Sequence, residues 1–217
     1  MPHATLTLSS KNYSSWSLRG WLMAMMSGVE FAEIAVPLED QDARAEILLL
    51  SPSILVPCLT YDGIEVWDTL AIGEFLNEVA PQAGVLPADR ALRARCRSIC
   101  GEMHSGFVSL RSALPMNIKA RFPHFKVWSK AKCDIERIAA IWRECLASNG
   151  GPYLFGAFSM ADAMYAPVAT RLRTYDVQLD LVCDAYCKRI LAHPHMARWI
   201  KDAEGESEEI EELEVEF

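Results

Sequence analysis

The sequence predicts a small α/β domain of order βαβαββα followed by an all-helical domain. Three observations carry that reading. Before Pro81, short apolar runs alternate with stripes at helical spacing. Asp62-Gly63 separates two strand-like runs as a tight hairpin turn would. Beyond Pro81 and the Gly84–Pro87 stretch, almost every apolar residue recurs at helical period. No internal repeat is present.

The elements follow in order. Thr5-Leu6-Thr7-Leu8 reads as the opening strand, and Leu18, Trp21, Leu22 and Met25 as the stripe of a first helix that Gly28 stops. Phe31 to Val36 is a second strand bounded by Pro37, and residues 41–50 are weakly helical up to Ser51-Pro52. Pro57 to Tyr61 and Ile64 to Trp67 are the hairpin strands, and Leu70 to Val79 forms a helix opened by Asp68 or Thr69. The domain limits are set at 1–81, with a linker at 82–87, a helical domain at 88–203 and an acidic tail at 204–217. In the second domain Leu92, Cys96, Ile99, Met103, Phe107 and Leu110 form one stripe. Ile135, Ile138, Ile141, Trp142 and Cys145 form another. Met160 to Tyr175 reads as a third helix, with shorter ones near 180–191 and 195–203.

Composition excludes several classes of function. Hydrophobic residues make up 51% of 217, enough for one large or two modest cores. No run of about 18 uncharged apolar residues occurs, which argues against a membrane span. The first residues lack the basic start and apolar stretch of a secretory leader, so a cytoplasmic protein is expected. The seven cysteines are odd in number and fall mostly in helical patterns, as reduced buried thiols do. Neither Cys-x3-Cys pair has a nearby His in ligand spacing, so no metal is expected. The formal charge of −8 is concentrated: nine acids and no Lys or Arg follow from Asp202 onward, leaving 21 basic and 20 acidic residues elsewhere. A near-neutral body gives no reason to expect nucleic acid as a partner. The acidic tail reads as a solvated, mobile segment, with docking as the lesser alternative.

Three places carry chemistry. Ser14, Ser15 and Ser17 sit where a strand hands over to a helix N-terminus, a position that favours an anion. One of them could cap the helix, or a hydroxyl there could hold a sulfur nucleophile ionised. Pro57 opens a strand after Val56; a cis bond would leave the Val56 backbone free to pair with an extended peptide-like ligand. Asp68 and Thr69 cap the next helix, and the same pair suits the ammonium and carboxylate of an amino-acid group.

At these three places the chain resembles the glutathione transferases. Their thioredoxin-like first domain carries a catalytic Ser, Tyr or Cys after strand one, a cis-Pro after Val, and an acid–hydroxyl pair opening a helix. The Ser14-to-Arg19 run is most similar to zeta-like, Ser-type members, and Ser159-Met160-Ala161-Asp162 is similar to the family's capping box. The resemblance implies an α/β thioredoxin-like domain plus an all-α helical bundle, glutathione as co-substrate, a homodimer and no metal. It implies Ser14, with Ser15 close behind, as the thiolate-stabilising hydroxyl. Trp16, Val56, Pro57, Asp68 and Thr69 are the implied glutathione-binding residues, with Val56 and Pro57 at the cysteinyl backbone and Asp68 and Thr69 at the γ-glutamyl end.

Two departures refine the reading. Trp16 stands where zeta-like isomerases place Cys, which favours a transferase over an isomerase. Leu55 stands where many relatives have Lys or Gln facing the glycyl carboxylate. Arg97, His104 and Arg111 are spaced by seven and are expected to share a helix face. With Met103, Phe107, Pro115, Met116 and Asn117, they are candidates for the pocket of a small electrophile. The function expected is glutathione transfer to that electrophile. A glutathione-dependent isomerase or peroxidase, and a non-catalytic scaffold, are the alternatives.

Overall fold

The structure is a computed structural model that describes residues 4–37, 56–207 and 209–214, with only the backbone of Glu212. The helix expected at 41–50, and Leu55, lie outside the described residues. The first-domain elements are β1 (Ala4–Leu8), α1 (Ser15–Ser27), β2 (Phe31–Ala35), β3 (Cys58–Tyr61), β4 (Ile64–Trp67) and α2 (Thr69–Val79). A 3-10 turn at Pro81–Ala83 leads on to α3 (Arg90–Ser105), α4 (Val108–Ala113) and α5 (Ser129–Asn149). They are followed by α6 (Met160–Thr174), α7 (Leu181–Ala192), α8 (Pro194–Glu204) and a short α9 (Glu211–Glu214).

The four described strands form one sheet in the order β2-β1-β3-β4. β1 runs parallel to β2 and antiparallel to β3, which returns through a hairpin to β4. Asp62 and Gly63 both have positive φ, 48° and 80°, the backbone that a tight hairpin demands. Alternation in β1 sends Ala4, Leu6 and Leu8 to the buried side.

Helix α1 is enclosed on nearly all sides, because it packs on α2 in its own domain and on α6 and α8 in the second. Trp21, Leu22 and Met23 are fully buried, and so is Arg19. One close approach fixes its sequence: a Cβ on Gly20 would lie 2.5 Å from the Pro57 ring. Only hydrogen fits where that ring rests on the helix.

Helix α6 is buried almost throughout and starts with a reciprocal capping box between Ser159 and Asp162. The Asp162 carboxylate, fully buried, accepts from the Leu154 and Ser159 amides, the Ser159 hydroxyl and the Tyr186 hydroxyl. These four donors offset its desolvation incompletely, and burial pushes its pKa up to about 6. Tyr186 stacks at a tilt on Trp142, so the box also ties α5 and α7 to α6.

Two expectations are corrected. The stripe from Leu92 to Leu110 is not one helix: α3 ends at Ser105, and Phe107 adopts a left-handed φ of 56° before α4. A Cβ on Gly106 would lie 2.6 Å from the Glu102 carbonyl oxygen, so glycine makes the break possible. The acidic tail is not wholly a solvated run: most of its described residues are exposed, but part of it packs on the first domain. Ile210 and Leu213 bury themselves on Tyr13, and Glu206 reaches the backbone of the loop before α1. Two apolar residues three apart, hidden among acids, give the segment a face to bury.

Two outcomes follow from this packing. Gly20→Ala should lower the unfolding free energy in urea by about 1–2 kcal/mol, because displacing the Pro57 ring outweighs the helix propensity gained. Asp162→Asn should cost about 2–4 kcal/mol, since its amide nitrogen would face donors. The folded-state pKa of Asp162 is raised, so the folded protein holds that proton more tightly than the unfolded chain between about pH 4 and 6. The advantage of wild type over Asp162→Asn should therefore shrink as pH rises through that window, by roughly 2–3 kcal/mol, and stay flat above it.

Candidate functional site

The site begins at the N-terminus of α1. Ser14 is the N-cap: its Oγ accepts from the Ser17 amide at 3.2 Å and donates to the Ser17 Oγ at 3.0 Å. Ser17, fully buried, in turn accepts from the Ser9 amide at the end of β1, so the strand and the helix are stitched together. Both hydrogen-bonding roles of Ser14 are thus taken up within the fold. Ser15 differs. Its Oγ accepts from Arg19 Nη1 at 3.3 Å, and among the described residues its own proton has no acceptor.

Arg19 lies one turn into the helix with no exposed surface. Its Nε donates to the Met164 carbonyl at 2.8 Å, Nη1 to the Ser15 carbonyl and hydroxyl, and Nη2 to the Met103 sulfur. No carboxylate pairs with it among the described residues. Burial disfavours its charge, and the neighbouring Arg171 and Arg111 add to the effect. The Trp16 ring covers it, with the guanidinium carbon 4.4 Å from the ring centroid, and Arg111 approaches the same ring at 5.5 Å.

The opposite wall is the start of α2. Asp68 takes a left-handed φ of 72° and caps the helix through the Leu70 amide at 2.8 Å. Its second oxygen meets His104 Nε2 at 2.5 Å, and His104 packs against Trp16 with ring centroids 5.1 Å apart. Burial works against the Asp68 charge, but His104 and the Leu70 amide hold its carboxyl below the usual range. Thr69 is 1% exposed, and its Oγ1 has no partner among the described residues. A buried hydroxyl left unpaired at a helix N-terminus suits an incoming carboxylate. Val56–Pro57 is a cis bond, immediately before β3.

Of the residues expected for a second pocket, His104 and Arg111 reach Trp16. Arg97 does not join them, because it forms a two-pronged ion pair with Glu74 on α2. Arg97 and His104 do share the α3 face turned to α2, where His104 meets Asp68, but the helix break at Gly106 takes Arg111 off that face. Met103 and Phe107 are core residues, 1% and 7% exposed, and Met116 is buried at 2%. Asn117 is fully buried and bonded to Asn12, Ala120 and the Leu213 carbonyl, so it braces the loop rather than lining a cleft. Arg19 is the candidate site residue that sequence reasoning misses. Its signal is a lone cation set between Leu18 and Trp21 in an apolar stripe. Among the described residues no group of three or more His, Cys, Asp or Glu could hold a metal. No helix there is long and apolar enough to cross a membrane.

Residues 13–79 match the family model for the glutathione S-transferase N-terminal domain, and residues 134–202 match the model for its C-terminal domain. The chain belongs to the glutathione S-transferase family. A maleylacetoacetate isomerase from Rattus norvegicus is 29% identical over 169 residues, 76% of each protein. The fold of this transferase is shared by a glutathione transferase homolog from Burkholderia gl BGR1 solved with bound glutathione. The two agree with a TM-score of 0.70 and 22% identity, over 95% of this chain and 100% of the other. A maleylacetoacetate isomerase from Anaeromyxobacter dehalogenans 2CP-1, with GSH in its active site, has a TM-score of 0.65 and 24% identity, over 94% and 98% of the two chains.

The half-exposed Asp68–His104 pair should matter little for stability in this transferase. His104→Asn is expected to change the unfolding free energy by less than about 1 kcal/mol. The Asp68 carboxyl should titrate at higher pH in that variant, as a carboxyl-selective NMR titration would record.

Proposed function

We propose that this protein conjugates the thiolate of glutathione to a small electrophile, with Ser15 rather than Ser14 as the hydroxyl that stabilises the sulfur. The observation that carries this is the Arg19 guanidinium behind Ser15 Oγ. A cation donating into that oxygen makes its proton a stronger donor, and an anion in front of Ser15 would compensate a buried charge that lacks a carboxylate. An ordinary thiol has a pKa near 8.5. A charge-assisted hydrogen bond together with the α1 N-terminus supplies roughly 2–3 kcal/mol, which makes the thiolate substantial at pH 7.

The rest of the ligand follows the walls of the site. The Val56 backbone pairs with the cysteinyl residue. Thr69 Oγ1 and the first amides of α2 take the γ-glutamyl carboxylate, and Asp68 takes the ammonium beside His104. The thiolate then attacks the electrophile between Trp16 and Arg111. A sulfur–carbon bond forms, and the electron pair leaves with the displaced group or is protonated by solvent. The exposed Ile64 and Trp67 on β4 favour a homodimer, and the unpaired cysteines suit a reducing, cytoplasmic compartment.

A glutathione-dependent isomerase is the second reading, favoured by the rat and bacterial relatives. Stoichiometry separates the two. A transferase consumes glutathione one-for-one with 1-chloro-2,4-dinitrobenzene, whereas an isomerase returns it after each turnover of maleylacetoacetate.

The direct test is the ultraviolet thiolate absorbance of bound glutathione as a function of pH. Ser15→Ala should cut the thiolate fraction at pH 6.5 about tenfold. Ser14→Ala should lose about 1 kcal/mol of stability with a much smaller change in the thiol. Loss of the signal in Ser14→Ala with retention in Ser15→Ala would reverse the assignment. An unlowered thiol pKa in wild type would end the enzyme reading.

A further inference from the structure

The loop that delivers Ser14 and Ser15 is held from the far side by the acidic segment 206–214. Glu206, half-buried, gathers three donors: the Ser10 hydroxyl at 2.7 Å, the Lys11 amide at 2.6 Å and the Asn12 amide at 3.1 Å. With its proton given to Glu206, Ser10 Oγ accepts from the Asn12 and Tyr13 amides at 3.1 and 3.2 Å. The Ser10 carbonyl accepts the Ser14 amide at 2.9 Å. A single carboxylate thus orders every amide from Lys11 to Ser14, directly or through Ser10.

The segment closes over the next residue as well. The Tyr13 ring, 3% exposed, lies under Ile210 and Leu213. Its hydroxyl donates to Glu214 and accepts from the Ile210 amide at 3.2 Å. Asn117 bridges loop and segment, bonding to Asn12 at 3.1 Å and to the Leu213 carbonyl at 3.2 Å. Residues 10–13 are therefore held jointly by the acidic segment and the 117–119 stretch, with Ser15 two residues beyond.

We infer that Glu206, together with Glu214 acting through Tyr13, is a positioning residue for the thiolate-stabilising hydroxyl. The acidic segment is then a working part of the site rather than a solvating run. The physical reason is the short reach of a hydroxyl-to-thiolate hydrogen bond, which a shift of a few tenths of an ångström weakens. Glutathione is held mainly by Val56, Asp68 and Thr69, so a loosened loop should damage ionisation more than binding. The inference rests on the transferase reading above.

The test is Glu206→Gln in the full chain, read by thiolate titration of bound glutathione and by amide hydrogen exchange of residues 11–16. This variant is expected to bind glutathione within about threefold of wild type. Its thiolate fraction at pH 6.5 should fall about fivefold. Exchange of the 11–16 amides should quicken at least about tenfold while the α6 amides stay as in wild type. Tyr13→Phe keeps the buried ring and removes both hydroxyl bonds, and a smaller change of the same kind is expected there. Wild-type thiolate titration in both variants, even with lower melting temperatures, would overturn the inference and leave the segment a purely structural brace. A wild-type protein that binds glutathione without lowering its thiol pKa would instead overturn the transferase reading, and this inference with it.

Discussion

Helix α1 must carry a guanidinium and three hydroxyls into an enclosure formed by α2, α6 and α8, and most of the structure follows from how those polar groups are satisfied. Arg19 finds two carbonyls, a hydroxyl and a sulfur, yet no carboxylate among the described residues. A buried cation without a counter-ion is costly unless something nearby benefits from its field. Ser15 is the polar group beside it that, among the described residues, keeps an uncommitted proton. The enclosure also dictates the glycine at position 20 and the close seating of Pro57, which brings the Val56 backbone next to the same helix.

The second domain supplies more than a wall. His104 and Arg111 reach Trp16 from α3 and α4, while Met164 and Met103 close off Arg19. The two domains thus share one polar cluster, which lies where the α1 and α2 N-termini meet. The capping box of α6 belongs to the same plan: by fixing where α6 begins, Asp162 fixes how its carbonyls meet α1. A defect in that box should therefore be felt at the site through packing rather than through charge.

The acidic segment changes how the loop before α1 is understood. A turn whose amides all face one way needs an anion or water in front of it, and Glu206 meets that need from almost two hundred residues downstream. Lys11 completes the arrangement through Glu33 and Asp202, each at 2.7 Å, with Trp199 bonded to its carbonyl. The loop is held in place because distant parts of the chain converge on it.

Much of this was legible in the sequence. Hydrophobic period located the described strands and nearly all the helices, because a strand or helix buries a face whose spacing is local. Asp62-Gly63 gave the hairpin, and the serine, Val-Pro and Asp-Thr motifs gave three sides of the proposed site, since caps and turns are written in adjacent residues. Composition alone also marked the acidic segment. Tertiary structure decided what depends on distant neighbours. It engaged Ser14 with Ser17 while setting Ser15 against the uncompensated Arg19, and it sent Arg97 to Glu74 instead of the cleft. It broke the long stripe at Gly106, where a carbonyl one turn back excludes a side chain, and it folded a run of acids onto Tyr13 and the loop amides. Period reports which face of an element is apolar; which buried polar group meets which partner is fixed only when the elements pack.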